Sequence, residues 1–116
     1  MTTPTDEQSE RIDKILANCA EKDVNTDTLS VFYQLLSQAL ALPCDVIGKA
    51  DLERYVLYGL ENSNDDMYGL LGKLKLASDE KKECVVPLCD LKAVDNRSVD
   101  FMLLHDYGTW FINSQV

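Results

Sequence analysis

The sequence predicts an α+β fold, with one or two N-terminal helices packed on a small curved antiparallel β-sheet and a short C-terminal helix. Two observations predict this class. Apolar residues recur at helical spacing as far as residue 40, and after residue 44 short apolar runs alternate with polar turns. A chain of 116 residues is long enough for one core and too short for two. We therefore expect residues 1–116 to form a single domain.

The first helix is expected to begin after Thr5, which can cap it, with Gln8 at the capping-box position. Ile12, Leu16 and Cys19 follow at helical spacing, and charged residues occupy the other face. This pattern predicts an amphipathic helix of about five turns. Because only one face is apolar, the helix must lie either on the rest of the domain or on a partner subunit.

A second helix is expected over residues 29–40, after a polar break that is rich in capping residues. Leu29, Phe32 and Leu36 lie on one apolar stripe. This helix is more apolar than the first, so we expect it to be the more deeply buried. Pro43 ends it, because the residue before a proline is disfavoured in the helical conformation.

The segment after residue 43 predicts short strands. The run 55–60 is apolar throughout, which is typical of a strand buried on both faces. Gly69 and Gly72 in the alternating run 68–76 predict a bulge or strong coiling, and Pro87 predicts an edge strand or a bulge. The predicted strands cover residues 44–48, 55–60, 68–76, 84–88 and 90–94, with a charged turn at 77–83 and a short final helix at 103–113.

The composition limits the classes of partner. With 11 Lys and Arg against 20 Asp and Glu, the net charge is −9. A surface of this sign repels phosphates and anionic lipids, so we expect neither nucleic acid nor membrane as a partner. The absence of a secretory signal or a long apolar run favours a cytoplasmic protein. The four cysteines are then expected to be reduced, buried and inert, since their spacing does not fit a zinc site.

Catalytic signals are missing from the sequence. It has no nucleophile elbow, no phosphate-binding glycine loop and no metal-binding histidine pair. His105, the single histidine, precedes Asp106, but neighbouring side chains on a helix point apart. We therefore expect a protein that is not an enzyme, with His105 as a partly exposed helix residue.

Acidic turns make calcium the ion to consider. Ca²⁺ takes about six to eight oxygen ligands from carboxylates, amides, carbonyls and water. Glu61, Asn62, Asn64, Asp65 and Asp66 crowd such oxygens into one turn. An EF-hand template started at Asn64 fails, because its last position holds a lysine. Any calcium site must therefore be assembled from separate turns.

Four motifs between residues 32 and 113 carry a resemblance. They are Leu-Pro at 42–43, an acidic turn with Tyr-Gly-Leu at 65–70, Pro-Leu-Cys-Asp-Leu at 87–91 with Val-Asp at 94–95, and Asp-Tyr-x-x-Trp-Phe-x-Asn at 106–113. In these motifs the segment resembles the small acidic bacterial calcium-binding proteins called CcbP-like. That family was first described in cyanobacteria and is also found in integron gene cassettes. Residues 1–24, with the first helix, lie outside the match.

The resemblance implies a helix on an SH3-like curved sheet that binds calcium through surface carboxylates. Asp90 and Asp106 sit in the most apolar motifs, where they could instead cap turns or satisfy the backbone. Matched acidic positions of the family, together with one acid from the same turn, give the predicted calcium ligands Glu61, Asp65, Asp66, Asp90, Asp95 and Asp106.

Two functions remain open on the sequence alone. The first is a soluble calcium-binding protein, a buffer or a sensor. The alternative is a non-catalytic interaction module, or a homodimer, that docks through its N-terminal helix and keeps the fold without tight calcium binding.

Overall fold

A computed structural model describes residues 5–63 and 65–115. Over these residues the chain forms three α-helices and a five-stranded antiparallel sheet, which confirms the predicted α+β class. The elements in chain order are α1 (Asp6–Ile15), α2 (Thr26–Ala39), β1 (Cys44–Gly48), β2 (Arg54–Asn62), β3 (Leu70–Leu76), β4 (Asp79–Pro87), a 3₁₀ turn (Leu88–Asp90), β5 (Leu91–Ala93) and α3 (Val99–Asn113).

Both N-terminal helices begin at capping residues that the sequence contains. The backbone N–H of Gln8 donates to Thr5 Oγ1 at 3.1 Å, and that of Thr28 donates to Asn25 Oδ1 at 3.0 Å. The predicted five turns of α1 are wrong, because the helix has 10 residues and ends at Ile15. The apolar periodicity in the sequence continues past the end of the helix because the chain beyond Ile15 is also packed against the core.

The sheet has the strand order β4-β3-β2-β1-β5. β1 has the predicted bounds. The prediction that β2 is buried on both faces is wrong, since Tyr58 is exposed at a shift in the β2–β3 register. Of the two alternatives predicted for Gly69 and Gly72, the bulge is wrong: Gly69 precedes β3 with φ +64, and Gly72 lies in regular pairing. Buried residues alternate with less buried ones along β1 and β3, so one face of the sheet carries the core.

β4 extends through the segment that the sequence predicts as a charged turn. Its pairing with β3 shifts between Lys75 and Leu76, so the charged start of β4 lies at an irregularity in the ladder. β4 is an edge strand that ends at Pro87, as predicted. An irregular start and a proline at the end both hinder pairing with a further strand.

The C-terminal helix α3 carries much of the core, and it confirms the final helix predicted at 103–113, with an earlier start that brings it to 15 residues. It begins at Val99, where the N–H of Phe101 donates to Ser98 Oγ at 3.1 Å. Tyr107 is fully buried, and its hydroxyl accepts the N–H of Leu70 at 2.8 Å. This bond fixes α3 to the start of β3.

The amphipathic helix α1 lies on α3 of the same chain. Ile12 and Leu16 belong to the same buried cluster as Trp110. Of the two surfaces that could receive this helix, the domain itself therefore covers its apolar face. Within the described ranges, none of the helices combines the length and the apolar character needed to cross a membrane.

Candidate functional site

The predicted calcium ligands occupy four separate places in the structure. Among residues 5–63 and 65–115, no group of three or more histidine, cysteine or acidic side chains is arranged to hold one metal ion. The end of β2 and the turn after it carry Glu61, Asp65 and Asp66, the 3₁₀ turn carries Asp90, the β5–α3 turn carries Asp95, and the interior of α3 carries Asp106.

The β2–β3 turn presents its two aspartates to solvent. Asp65 Oδ1 accepts the N–H of Met67 at 2.8 Å, and the carbonyl of Asp65 accepts the N–H of Gly69 at 2.7 Å. Across the turn, Gln115 Nε2 donates to the carbonyl of Asp66 at 3.2 Å. The turn thus has a defined shape and two exposed carboxylates. Asn64, which the sequence placed in this oxygen cluster, lies outside the described residues.

Asp90 lies apart from that turn, at the end of the 3₁₀ segment. Its carboxylate is exposed, and its carbonyl accepts the N–H of Lys49 at 2.8 Å. Lys49 Nζ donates to the carbonyl of Cys89 at 2.9 Å. An ammonium group beside Asp90 offsets its negative charge, which makes this position a weak place for a cation.

Asp95 is the predicted ligand that the fold brings close to other acids. A cavity of about 270 Å³ opens between the start of β1 and the β5–α3 turn, and the carboxyl-bearing residues Asp45, Asp95 and Asp100 line it together with Ser98. We call these four residues the acidic cleft. None of the ion pairs formed by the described residues involves Asp45, Asp95 or Asp100.

Hydrogen bonds hold two carboxylates of the acidic cleft and the backbone of its third aspartate. Asp95 Oδ1 accepts the N–H of Arg97 at 3.0 Å, and Asp100 Oδ1 accepts the N–H of Ala41 at 3.1 Å. The carbonyl of Asp45 accepts the N–H of Val94 at 3.0 Å, which ties β1 to the β5–α3 turn. The side chains of Asp95 and Asp100 are therefore held in place, and Asp45 is held through its backbone.

Cys44 lines the same cavity as the acidic cleft. Its thiol is buried, and burial, followed by the charge of Asp100, the hydrogen bond to Asp100 and the charge of Asp45, raises the pKa of Cys44 to about 11. At neutral pH the thiol is therefore protonated and unreactive. Cys84, in contrast, is exposed, so the prediction that the cysteines are buried is wrong at that position.

Asp106 has a different environment from the other predicted ligands. It is 2% exposed, and both of its oxygens are engaged: Arg11 Nε donates to Oδ2 at 2.7 Å and Arg11 Nη2 to Oδ1 at 3.0 Å. Gln8 Nε2 also donates to Oδ1 at 3.0 Å. The hydrogen bond to Asp106 raises the pKa of Arg11. In this arrangement Asp106 holds α1 on α3 and has no free oxygen for a metal.

Asp45 and Asp100 are the acids of the cleft that sequence reasoning did not select. Asp45 follows Cys44 in a strand where side chains alternate between faces, so a buried Cys44 and Val46 place Asp45 outward. Asp100 lies in the first turn of α3, where an acid is favoured by the helix dipole. Both signals are local, and neither reveals that the two acids lie beside Asp95.

Comparison with known proteins identifies the fold. No protein-family model and no curated protein matches the sequence. The structure of Anabaena CcbP matches with a TM-score of 0.72 at 15% identity, covering 94% of this chain and 92% of that one. A calcium-binding protein in its calcium-binding form matches with a TM-score of 0.75 at 14% identity, covering 100% and 99%.

The chain has the CcbP fold. At 14–15% identity the structural similarity establishes the fold, which confirms the fold implied by the sequence resemblance. The match to the calcium-binding protein spans the whole chain. The structural similarity therefore includes the N-terminal segment, which the sequence motifs did not cover.

Proposed function

We propose that this protein binds calcium, and that the acidic cleft is its main site. The observation that carries the proposal is that Asp45, Asp95 and Asp100 line one cavity, while none of the ion pairs among the described residues involves them. Carboxylate oxygens are the ligands that Ca²⁺ prefers. When bound, the ion would supply positive charge that relieves the repulsion between these carboxylates.

Two further observations support the binding of a cation, and the first of them favours calcium. Both solved structures of this fold named above are calcium-binding proteins by name, CcbP and a protein in its calcium-binding form. The net charge of −9 attracts cations to the whole surface. Hard oxygen ligands without histidine or thiolate favour calcium or magnesium over zinc or copper.

The cleft can supply only part of the coordination of calcium. Ca²⁺ needs about six to eight oxygens, and protein sites commonly complete the set with carbonyls and waters. Asp45, Asp95 and Asp100 would hold the ion, and the hydroxyl of Ser98 lines the same cavity. Because the carboxylates do not converge beforehand, we expect weak, reversible binding, with a dissociation constant on the order of 10⁻⁵–10⁻³ M.

The β2–β3 turn is a second, weaker candidate in this proposal. Glu61, Asp65 and Asp66 are exposed there, and the carbonyls nearby are held in place by the turn. Of these three acids, only Asp65 and Asp66 line a common cavity, so they attract calcium less strongly than the three aspartates of the acidic cleft. Asp90 and Asp106 are left out, the first because Lys49 is adjacent and the second because Arg11 occupies it.

Titration calorimetry on the chelator-stripped protein tests this function. We expect saturable binding of calcium and little competition from an equal concentration of magnesium, because Mg²⁺ demands tighter octahedral geometry. The cleft variant Asp45→Asn/Asp95→Asn should lose about tenfold or more in affinity. Its matched control, Asp65→Asn/Asp66→Asn, removes the same charge from the β2–β3 turn and should retain most of the affinity.

Three results would reject the proposal. Absence of saturable heat with the intact protein would reject calcium binding. A larger loss in the β2–β3 turn variant than in the cleft variant would reject the assignment of the main site to the cleft. An equal, small loss in both variants would mean that calcium is attracted by overall charge without a site.

A further inference from the structure

A second cavity lies on the opposite end of β1 from the acidic cleft. It has a volume of about 140 Å³ and opens between the turn that follows β1 and the segment that joins β4 to β5. Apolar side chains form much of its wall: Leu74, Val86, Pro87 and Leu91. Leu74 and Leu91 are buried, so the floor of this cavity belongs to the core. We call it the apolar cavity.

The rim of the apolar cavity is held in one shape by hydrogen bonds. Tyr55 Oη donates to Asp51 Oδ2 at 2.5 Å, and Asp51 Oδ1 accepts the N–H of Glu53 at 2.9 Å. On the other side, Lys49 N and Nζ bind the carbonyls of the 3₁₀ segment at 2.8 and 2.9 Å. The cavity therefore exists without a ligand and would lose little conformational entropy on binding.

The rim is acidic. The carboxylates of Asp51 and Asp90 are exposed beside the opening, against the single ammonium group of Lys49, which is engaged with the carbonyl of Cys89. The hydrogen bond from Tyr55 lowers the pKa of Asp51, so this carboxylate stays ionised at neutral pH. An apolar interior with a net negative opening is complementary to an apolar group that carries positive charge beside it.

The size of the cavity selects the kind of occupant. Sites for small molecules and cofactors enclose about 300–1,000 Å³, whereas an apolar cavity of about 150 Å³ accommodates a group the size of benzene. At about 140 Å³, the apolar cavity has room for one side chain. A partner protein that inserts a single aliphatic side chain is thus the occupant that fits.

We propose that the apolar cavity is a docking site for a basic segment of a partner protein, which inserts one aliphatic side chain between Val86 and Leu91 and places an adjacent lysine or arginine residue on Asp51. This site is separate from the acidic cleft, so it stands whether or not the protein binds calcium.

Methyl-resolved NMR of the full chain with short peptides tests the proposal. The probe is N-acetylated, C-amidated Lys-Leu-Lys at millimolar concentration, and it should shift the methyl signals of Leu74, Val86 and Leu91 in a saturable way. Replacing its leucine with alanine should weaken binding by at least about tenfold, because three buried carbons are lost. Replacing both of its lysines with glutamate should weaken binding by more than about threefold, because the rim then repels the peptide.

Variants of the protein separate the two parts of the site. Val86→Phe fills the cavity and should abolish the methyl shifts. Asp51→Asn should weaken the binding of Lys-Leu-Lys by about threefold. Asp27→Asn removes an equal charge from α2 and should leave the binding of Lys-Leu-Lys unchanged, so it controls for the change in net charge. If Val86→Phe fails to fold, the binding of Lys-Leu-Lys to Asp51→Asn still tests the rim, and the alanine peptide still tests the apolar interior. Equal binding of the leucine and alanine peptides, equal binding of the basic and acidic peptides, or no saturable shift would overturn the proposal.

Discussion

Asp106 and Asp95 belong to the same set of predicted calcium ligands, yet the fold places them in opposite environments. Asp106 lies inside α3, 2% exposed, with both oxygens bound to α1. Asp95 lies in an open cleft beside two other aspartates. The first carboxylate has its charge compensated within the molecule and the second does not. This difference separates an acid that holds the fold together from an acid that can bind a cation.

Replacing Asp106 should produce the largest effect of this comparison. Asp106→Asn removes the charge that binds Arg11, and it should lower the free energy of unfolding by about 2–4 kcal/mol, since loss of one partner of a buried pair leaves the other uncompensated. This loss is smaller than the loss of about 3–5 kcal/mol expected for a fully buried pair, because Arg11 is partly exposed and water compensates part of its charge. Chemical denaturation measures it.

The matched control for Asp106→Asn is Asp13→Asn. Asp13 pairs with Lys22 on the exposed surface at 3.1 Å, so its loss should change stability by no more than about 0.5 kcal/mol. Equal losses in the two variants would contradict the buried role of Asp106. A lower calcium affinity in Asp106→Asn, measured at a temperature where the variant is folded, would indicate that Asp106 is a calcium ligand after all.

Tyr107, the next residue of α3, gives the next largest effect. Tyr107→Phe leaves the N–H of Leu70 without its acceptor and should cost about 1–3 kcal/mol of stability. The half-buried Tyr33 provides a control, and Tyr33→Phe should change stability by less than about 0.5 kcal/mol. Thermal unfolding of the two variants, measured side by side, checks the difference. Equal effects would show that the bond to Leu70 contributes little.

Alkaline pH tests the burial of Tyr107 by an independent route. Burial raises the pKa of Tyr107 above its ordinary value of about 10, so the folded state favours the neutral hydroxyl. The stability from this preference is complete below pH about 10 and declines as pH rises through the higher folded pKa. Stability measured from pH 9 upward should therefore fall less steeply in Tyr107→Phe than in the intact protein; identical slopes would contradict the assignment.

The cleft should show the smallest effect, and with the opposite sign. In the absence of calcium, Asp45→Asn/Asp95→Asn relieves repulsion between carboxylates and should raise stability by about 0.2–0.5 kcal/mol at low salt. The gain should shrink in about 1 M salt, where charges are screened within about 3 Å. A loss of stability that does not depend on salt would mean that these aspartates are structural, as Asp106 is.

Local signals in the sequence were sufficient for much of the fold. The Asn25 cap, the apolar stripe of α2 and Pro43 lie within one short segment, and β1 is bounded by Pro43 and Gly48. Errors arose where distant contacts decide the structure. The periodicity of α1 continues past Ile15 because the following segment also packs on α3, where Trp110 Nε1 donates to the carbonyl of Lys22 at 2.8 Å.

The candidate site was harder to predict, for the same reason. The partners of Asp106 are Gln8 and Arg11, at the other end of the chain, so nothing near Asp106 in sequence shows that its charge is compensated. The acidic cleft is built from β1, the β5–α3 turn and the start of α3. Its carboxylates become neighbours only because β1 pairs with β5.

Side-chain carboxyl NMR during a calcium titration tests the central claim most directly. The ¹³Cγ signals of all the aspartates can be followed in one uniformly labelled sample. We expect those of Asp45, Asp95 and Asp100 to shift together and saturate at one calcium concentration, while that of Asp106 stays fixed. A saturating shift of Asp106, or shifts centred on Asp65 and Asp66 with the cleft unchanged, would contradict the account.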